Sequence, residues 1–376
     1  MHFSLRLFSL GLLGLSFLQC TTNEKHSNVE SGPTLALLVG TYTGNGSDGI
    51  YRVSFNANSG RIGNKELVAT TSNPSYLTIS KDRTMVFAVN ENEEGSVSSF
   101  AWNANKTQLE LVSKQPSEGS APCYTEINSN RSLIAAANYS TGNIALFKVS
   151  KEGALLPAPS VKQHTGNGPF LPNQDGPHAH CVRFSEDSKF LYAVDLGNDK
   201  ILSYPIINGE LGDEQVALAL DPGDGPRHLI FHPTKSIAFI VNELSSTVVS
   251  ASVNTQTGEF IRISKLSALP NDFKGESYCA DIHISGDGRF LYASNRGHNS
   301  LAIFKVSHDG ELERIGIESV HGNWPRNFTL SPNEQFVLVA NQKSNDITVF
   351  NRNVDSGLLK YTGHTLEIDR PVCLKF

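Results

Sequence analysis

The amino-acid sequence predicts an all-β fold, a seven-bladed β-propeller of four-stranded blades, from three observations. The composition favours many short strands and tight turns, because 31 Gly and 17 Pro accompany only 2 Met. A motif of two paired strands recurs along the chain at the spacing of propeller blades. The two ends of the chain each carry one half of a further copy of this motif.

The repeated motif consists of a Pro, a short alternating strand, a polar turn and an apolar strand that ends in Asn. Four clear copies are NPSYLTISKDRTMVFAVNE from Asn73, APCYTEINSNRSLIAAANY from Ala121, GPRHLIFHPTKSIAFIVNE from Gly225 and WPRNFTLSPNEQFVLVANQ from Trp324. Two more, from His178 and Tyr278, lack the Pro and keep the pattern. The second strand closes at Asn90, Asn138, Asp195, Asn242, Asn295 and Asn341, at intervals of 48, 57, 47, 53 and 46 residues. These intervals indicate four-stranded blades.

The seventh copy is divided between the chain ends. RPVCLKF, from Arg370, matches the first strand of the motif, and TLALLVGTY, from Thr34, matches the second. A parallel β-solenoid is the alternative repeat fold, but its coils are shorter and it would not need its last segment completed by its first. We therefore expect the two ends to share one blade and to close the ring by main-chain hydrogen bonds.

The first twenty residues differ from the rest of the chain. Residues 7–18 are almost continuously apolar, which is too short for a comfortable membrane span and typical of an export signal. Cys20 then stands where a bacterial lipoprotein would be cleaved and lipidated; a plain secretory signal with an incidental Cys is the alternative. We predict a signal peptide over 1–20, a flexible tether over 21–33 and the propeller over 34–376. The protein would be periplasmic or held at the membrane through a lipid on Cys20.

Charge and cysteine usage narrow the function further. The net charge of −6 argues against nucleic acid as a partner, because such binding needs a surplus of Lys and Arg.

The four cysteines after Cys20 fall in the first strand of different repeats: Cys123, Cys181, Cys279 and Cys373. Inner strands of separate blades seldom approach within bridging distance, so we expect buried free thiols.

Two positions of the motif should surround one mouth of the central channel. The first two strands form an antiparallel hairpin, so the residue after the Pro and the residue after the Asn lie at the same end of a blade. The inner ring then contains Ser75, Cys123, His180, Arg227, Ala280, Arg326 and Val372. The second ring contains Thr41, Glu91, Tyr139, Leu196, Glu243, Arg296 and Gln342.

Basic residues gather on one arc of these rings. Arg227, Arg296 and Arg326 would repel one another and lose hydration, so they favour an anion such as phosphate or carboxylate in the site. The alternative is that Arg and Glu of adjacent blades form structural salt bridges. His180 rather than His178 falls on the ring. By strand alternation, His228 should point to the opposite face as a packed histidine.

The segments GPRHLIFHP, VNEL, ADIHIS, LYASNRG and PRNFTLSP with VANQKS resemble the bacterial 6-phosphogluconolactonase propeller family. The likeness spans residues 34–376, and the same family includes fungal carboxymuconate-lactonizing enzymes. It implies an active-site set of one His, two Arg and one Glu, which by motif are His180, Arg227, Arg296 and Glu243. The ring positions select the same four residues. We add the neighbouring side chains as expected substrate contacts: Arg326, Glu91, His178, Asn295 and Gln342.

This resemblance implies hydrolysis of a sugar lactone, with a small anionic lactone as substrate. We expect Glu243 or His180 to act as the general base for water and Arg227 to stabilise the oxyanion. Arg296, with Arg326, would hold the anionic group of the substrate, and the scheme needs no metal or cofactor. Two alternatives remain open: a propeller that binds a ligand without reacting it, and a cyclising enzyme that acts on a muconate. We expect a monomer or dimer.

Overall fold

A computed structural model describes residues 1–3, 33–44, 46–157 and 159–376 of the chain. The predicted signal peptide, Cys20 and the predicted tether therefore lie almost wholly outside the described residues. Within the described ranges the chain forms strands and turns and has no helix. Accordingly, this part of the chain contains no helix that is long and apolar enough to cross a membrane.

The described residues form 29 strands. The first fifteen are β1 (Thr34–Thr41), β2 (Gly49–Asn56), β3 (Ile62–Thr70), β4 (Leu77–Ile79), β5 (Met85–Asn90), β6 (Ser96–Trp102), β7 (Leu109–Pro116), β8 (Pro122–Ile127), β9 (Leu133–Asn138), β10 (Asn143–Lys148), β11 (Ser160–Gln163), β12 (Ala179–Phe184), β13 (Phe190–Asp195), β14 (Lys200–Ile207) and β15 (Glu210–Leu211). The others are β16 (Gln215–Ala219), β17 (Pro226–Phe231), β18 (Ile237–Asn242), β19 (Thr247–Val253), β20 (Phe260–Ser267), β21 (Tyr278–Ile284), β22 (Phe290–Arg296), β23 (Ser300–Val306), β24 (Leu312–Ser319), β25 (Pro325–Leu330), β26 (Phe336–Asn341), β27 (Asp346–Arg352), β28 (Leu359–Glu367) and β29 (Pro371–Lys375).

These strands form seven antiparallel sheets, one for each blade. From the channel outwards, blades 1 to 6 have the orders β4-β5-β6-β7, β8-β9-β10-β11, β12-β13-β14-β16, β17-β18-β19-β20, β21-β22-β23-β24 and β25-β26-β27-β28, and β15 extends blade 3 as a short hairpin with β14. Blade 7 has the order β29-β1-β2-β3. The prediction of seven four-stranded blades is confirmed.

Apolar side chains hold adjacent blades face to face. The second strands of blades 1 to 6 are buried along their whole length: β5, β9, β13, β18, β22 and β26. Between blades 4 and 5, for example, Phe239 packs in one cluster with Leu291 and Phe304, all fully buried. The core is therefore a circle of inter-blade layers, and it fixes each channel-lining strand relative to its neighbours.

The ring closes as the sequence predicts. Strand β1 pairs antiparallel with β29, with Val39 opposite Leu374 and Gly40 opposite Cys373. The first strands also contact one another in an unbroken circle, β4 to β8, β12, β17, β21, β25, β29 and back to β4. All four described cysteines are buried and free, which confirms the expectation of unbridged thiols.

A register shift in the first strand of most blades positions the inner ring. The pairing skips one residue directly after the Pro position, and the skipped residues include Cys123, His180, Arg227 and Arg326. A bulge of this kind re-aims a side chain and breaks the alternation of the strand. It therefore allows Arg227 and the next residue, His228, to belong to the same channel-lining network. The prediction that His228 points to the opposite face was wrong for this reason.

The residue before each Pro positions the second-ring residue of its blade through a backbone hydrogen bond. Asn73, Ala121, Gly225, Trp324 and Arg370 all have positive φ angles, between 42° and 68°. Their carbonyl groups accept the backbone N–H of the second-ring residue, as in the bond from Glu243 N to Gly225 O. In blade 7 the donor to Arg370 O is Tyr42 N, and Thr41 pairs with Pro371 at the position that Asn occupies elsewhere. The second-ring residue of blade 7 is thus Tyr42, which corrects the expectation of Thr41.

Substitution of Gly225 by alanine is expected to lower the free energy of unfolding by about 1–3 kcal/mol. Gly225 has φ +57°, and an added Cβ would lie 2.4 Å from Leu244 Cγ. Denaturant titration of the purified variant measures the change. Ala121, at the equivalent position with φ +52°, already accommodates a Cβ, so Ala121→Gly is the control and should change stability far less. Equal stability of Gly225→Ala and the wild-type protein would contradict this account of the turn.

Candidate functional site

A buried cluster of two guanidinium groups and one carboxylate lies at the mouth of the channel. Arg227 Nε lies 2.9 Å from Glu243 Oε2, and Arg296 Nη2 lies 2.6 Å from the same oxygen. Both arginines are almost fully buried, at 2% and 5% exposure. Arg227 comes from the bulge of β17, Glu243 follows β18 and Arg296 ends β22, so blades 4 and 5 together build the cluster.

The two guanidinium groups determine the ionisation of Glu243. Burial by itself would raise the pKa of this carboxyl group, but Arg296 and Arg227 outweigh burial and hold the pKa below its usual value. Burial lowers the pKa of Arg296 to about 10, although Glu243 partly opposes this effect. The Arg296 guanidinium is therefore still charged at neutral pH. The cluster therefore contains two positive charges and one negative charge.

Each arginine of this cluster keeps one free donor nitrogen. Arg227 Nη1 donates to Ala280 O and contacts His228 Nε2 at 3.0 Å. Arg296 donates from Nη2 to Cys279 O and from Nε to Tyr278 O. Arg227 Nη2 and Arg296 Nη1 have no acceptor among the described residues. A structural salt bridge would account for the ion pairs, but the free donors can still bind a ligand oxygen.

His180 lies beside this cluster in a neutral state. Its ring centroid is 5.4 Å from that of His228 and 5.5 Å from that of Tyr139, and its Nδ1 is 3.7 Å from Cys123 Sγ. Burial and the Arg227 guanidinium hold the pKa of His180 well below its usual value. Its Nε2 has no hydrogen-bond partner in the described part of the chain. His180 is thus placed to accept a proton from a bound molecule.

A second polar group occupies the arc formed by blades 6, 7 and 1. Arg326 Nη2 donates to the Tyr42 hydroxyl at 2.9 Å, and this hydroxyl donates to the Glu91 carboxylate at 2.8 Å. Burial raises the pKa of Tyr42, so the phenol keeps the proton that it donates. The sequence analysis singled out Arg326 and Glu91 but missed Tyr42, because its register in blade 7 was misjudged by one residue.

Tyr139 of the second ring packs against His180, and His178 packs against Tyr139. The rings of His178 and Tyr139 are stacked, with centroids 4.6 Å apart, and His178 Nδ1 lies 2.9 Å from Tyr139 O. His178 N donates to Asp195 Oδ1, which anchors the segment before β12. The structure thus places His178 next to the predicted site, one step behind Tyr139.

Two other predicted substrate contacts have different outcomes. Asn295 is fully buried, and its amide donates to Ala268 O and Ser300 Oγ. These bonds, with the contact of Cys279 Sγ to Asn295 Oδ1, leave Asn295 no free polar atom for a substrate. The prediction of Asn295 as a substrate contact is therefore corrected to a structural role in the blade. Gln342 lies on the second ring, and its Oε1 is buried without a hydrogen-bond partner among the described residues. A role of Gln342 in binding stays a prediction.

The network below the mouth was also missed by the sequence analysis. His228 contacts Arg227 through Nε2 and Asp281 through Nδ1, at 3.0 and 2.8 Å. The expectation that His228 is a packed histidine is confirmed. The only sequence signal for this network is the pair Arg227-His228 directly after Pro226. Strand alternation would place the two side chains on opposite faces, and only the bulge of β17 allows them to meet. In the described ranges no group of three or more His, Cys, Asp or Glu side chains could hold a metal ion.

The arrangement combines a neutral imidazole with two neighbouring guanidinium groups that each keep a free donor nitrogen. Such a set can take a proton from water and stabilise negative charge on an oxygen. The free nitrogens of Arg227 and Arg296 suit a carbonyl oxygen or a carboxylate. This is the chemistry that ester hydrolysis requires.

Comparison with known proteins agrees with this chemistry. The family model described as "Lactonase, 7-bladed beta-propeller" matches residues 36–376. A 6-phosphogluconolactonase of Bacillus subtilis is 35% identical over 340 residues, which cover 90% of this chain and 97% of that protein. A 6-phosphogluconolactonase of Formosa agariphila is 34% identical over 336 residues, covering 86% and 94%.

A solved structure gives the same picture. The periplasmic gluconolactonase of Pseudomonas aeruginosa superposes with a TM-score of 0.85 at 33% identity, covering 92% of this chain and 99% of that protein. The matched residues include every blade and both ends of the ring. This chain belongs to the family of seven-bladed β-propeller lactonases.

Proposed function

We propose that this protein hydrolyses the ring ester of a sugar lactone at the mouth of its central channel. The observation that carries the proposal is neutral His180 next to Arg227, whose Nη2 is free and whose Glu243 partner also holds Arg296. Family membership and the relatives named 6-phosphogluconolactonase support the same reaction class.

The reaction needs a base for water and a donor for the carbonyl oxygen. Water attacks the carbonyl carbon while His180 Nε2 takes its proton. Charge that develops on the carbonyl oxygen is stabilised by Arg227 Nη2, a contribution typically of about 3 kcal/mol. The ring C–O bond then breaks, and the imidazolium returns the proton to the leaving oxygen. The product has a free hydroxyl group and a carboxylic acid, which releases its proton to solvent, and Arg296 can bind the resulting carboxylate.

His180 is a better candidate for the base than Glu243. One oxygen of Glu243 is already engaged in ion pairs with two guanidinium groups. His180 is neutral and has an unpaired nitrogen. Glu243 instead holds Arg227 and Arg296 side by side, a role that a pure anion-binding site would not need.

The choice of substrate is tested with three lactones. Purified protein is assayed on 6-phosphogluconolactone, gluconolactone and a muconolactone, with spontaneous hydrolysis subtracted. Ring opening of either sugar lactone well above the spontaneous rate supports the proposal, and the faster one gives the substrate class. Turnover of the muconolactone alone would favour the cyclising alternative, and no turnover of any would favour a binding propeller.

Activity is expected to persist into mildly acidic solution. The base form of His180 is the neutral imidazole, and its pKa lies well below 6.5 because of burial and Arg227. As the pH falls, kcat/KM should therefore stay constant through 6.5 and decline only when the lowered pKa is reached. Initial rates over a pH series measure this profile, with folding checked at each pH. An acidic limb centred at or above 6.5 would contradict the assignment.

We also infer that the lactonase acts outside the cytoplasm. The predicted leader with Cys20 motivates this inference, and the similar Pseudomonas aeruginosa protein is periplasmic. Cell fractionation of the full chain and of Cys20→Ala tests it. Membrane association that is lost in Cys20→Ala would support lipidation, release of both as soluble exported proteins would support a plain signal, and retention in the cytoplasm would overturn export.

A further inference from the structure

A chain of hydrogen bonds runs from the channel interior to the candidate site. Asp281 lies on β21 beneath the mouth and is 2% exposed. Its carboxylate lies 2.8 Å from His228 Nδ1 and 3.0 Å from His283 Nε2, and it also accepts from Asn327 Nδ2. His228 in turn reaches Arg227 Nη1 through Nε2, at 3.0 Å. A buried carboxylate is thus connected to a site guanidinium through one imidazole.

The two contacts of His228 define its tautomer. Arg227 Nη1 can only donate, so His228 Nε2 must be the acceptor and the ring proton must be on Nδ1. Asp281 is the acceptor for that proton. The electrostatics agree: burial and Arg227 lower the pKa of His228 to about 4. Burial would raise the pKa of Asp281, but His283 and His228 hold it well below its usual value.

From this geometry we infer that His228, oriented by Asp281, is a positioning residue that aims the free Nη2 of Arg227 into the mouth. Arg227 Nε faces Glu243 and Nη1 is held by His228 and Ala280 O, so the plane of the guanidinium is fixed on two edges. The role of Nη2 as oxyanion donor rests on the proposed function; the positioning itself does not.

Amide substitutions separate the two contacts of His228. A glutamine amide reaches the place of Nε2 and can accept from Arg227, whereas an asparagine amide reaches the place of Nδ1 and can donate only to Asp281. We expect His228→Gln to keep kcat within a few-fold of wild type. His228→Asn and His228→Phe should each lower kcat by about 10- to 100-fold with little change in KM. A merely structural role through Asp281 predicts the opposite order of Gln and Asn.

His283 provides the matched control. It contacts the same Asp281 carboxylate at 3.0 Å and has no contact with Arg227. We expect His283→Phe to leave kcat within about twofold, while thermal denaturation reports any loss of stability in each variant. An equal loss of kcat in His283→Phe and His228→Phe would overturn the inference, as would full activity of His228→Asn.

A readout without turnover distinguishes failure of this inference from failure of the proposed function. Nitrogen NMR of histidine-labelled protein, with His228→Gln to assign the signal, should show His228 with a bare Nε2 and a protonated Nδ1. Arg227→Met should shift the Nε2 signal. If the wild-type protein opens none of the three lactones but these signals are found, the lactonase proposal falls and the positioning stands. A proton on Nε2 would overturn the positioning whatever the activity.

Discussion

Substitution of Glu243 by glutamine is expected to reduce kcat/KM for lactone hydrolysis by about 10²- to 10³-fold. The carboxylate lies 2.9 Å from Arg227 and 2.6 Å from Arg296, and it is the charge that allows two buried guanidinium groups to lie side by side. A neutral amide leaves their repulsion uncompensated, so the donors aimed at the substrate should separate. Steady-state kinetics on the best lactone from the substrate assay measure the effect.

The control is Glu91→Gln, which removes a carboxylate from the other arc of the mouth. Glu91 accepts from Tyr42 and has no contact with Arg227 or Arg296. Its loss should therefore reduce kcat much less than the loss of Glu243. Thermal denaturation must show that Glu243→Gln is folded, because removal of one partner of a buried ion pair commonly costs about 3–5 kcal/mol. Wild-type kinetics in a folded Glu243→Gln protein would show that catalysis does not depend on the Glu243 carboxylate.

Removal of the last strand is expected to abolish the closed ring. A chain that ends at Asp369 lacks β29, whose Val372, Cys373 and Leu374 are at most 3% exposed. Burial of such side chains contributes about 1.5–3 kcal/mol each, so the loss is a large part of the roughly 5–15 kcal/mol that stabilises a domain. The truncation also exposes strand edges in blade 7, which promotes association between chains.

Circular dichroism melting and size-exclusion chromatography test this prediction. The truncated chain should lose its cooperative transition or elute as aggregates. A chain that ends at Leu374 is the matched control, because it keeps the pairs Val39 with Leu374 and Gly40 with Cys373. A monomeric chain ending at Asp369 with an unchanged Tm would show that the ring does not depend on its closing strand.

The amino-acid sequence predicts the fold of this protein more completely than its site. The hairpin motif is local, so the closing positions from Asn90 to Asn341 were identified correctly, and each ends or nearly ends its second strand. The seventh copy has Gly40-Thr41 where each of the other blades has Asn or Asp at the closing position of this strand, and this difference hid Tyr42. Asn295 was predicted to contact substrate, yet its side chain is fully buried and its amide donates to Ala268 O and Ser300 Oγ.

The sequence alone determined the number of blades, the shared blade at the chain ends and the arc of the ring that carries basic residues. These properties follow from hairpin periodicity, which depends on neighbours along the chain. Only the tertiary structure decided that Arg227 and Arg296 share Glu243. It also decided that Tyr42 links Arg326 to Glu91 and that His228 connects Asp281 to Arg227. The physical reason is that a one-residue bulge re-aims each inner side chain, and its partner then depends on how the next blade packs.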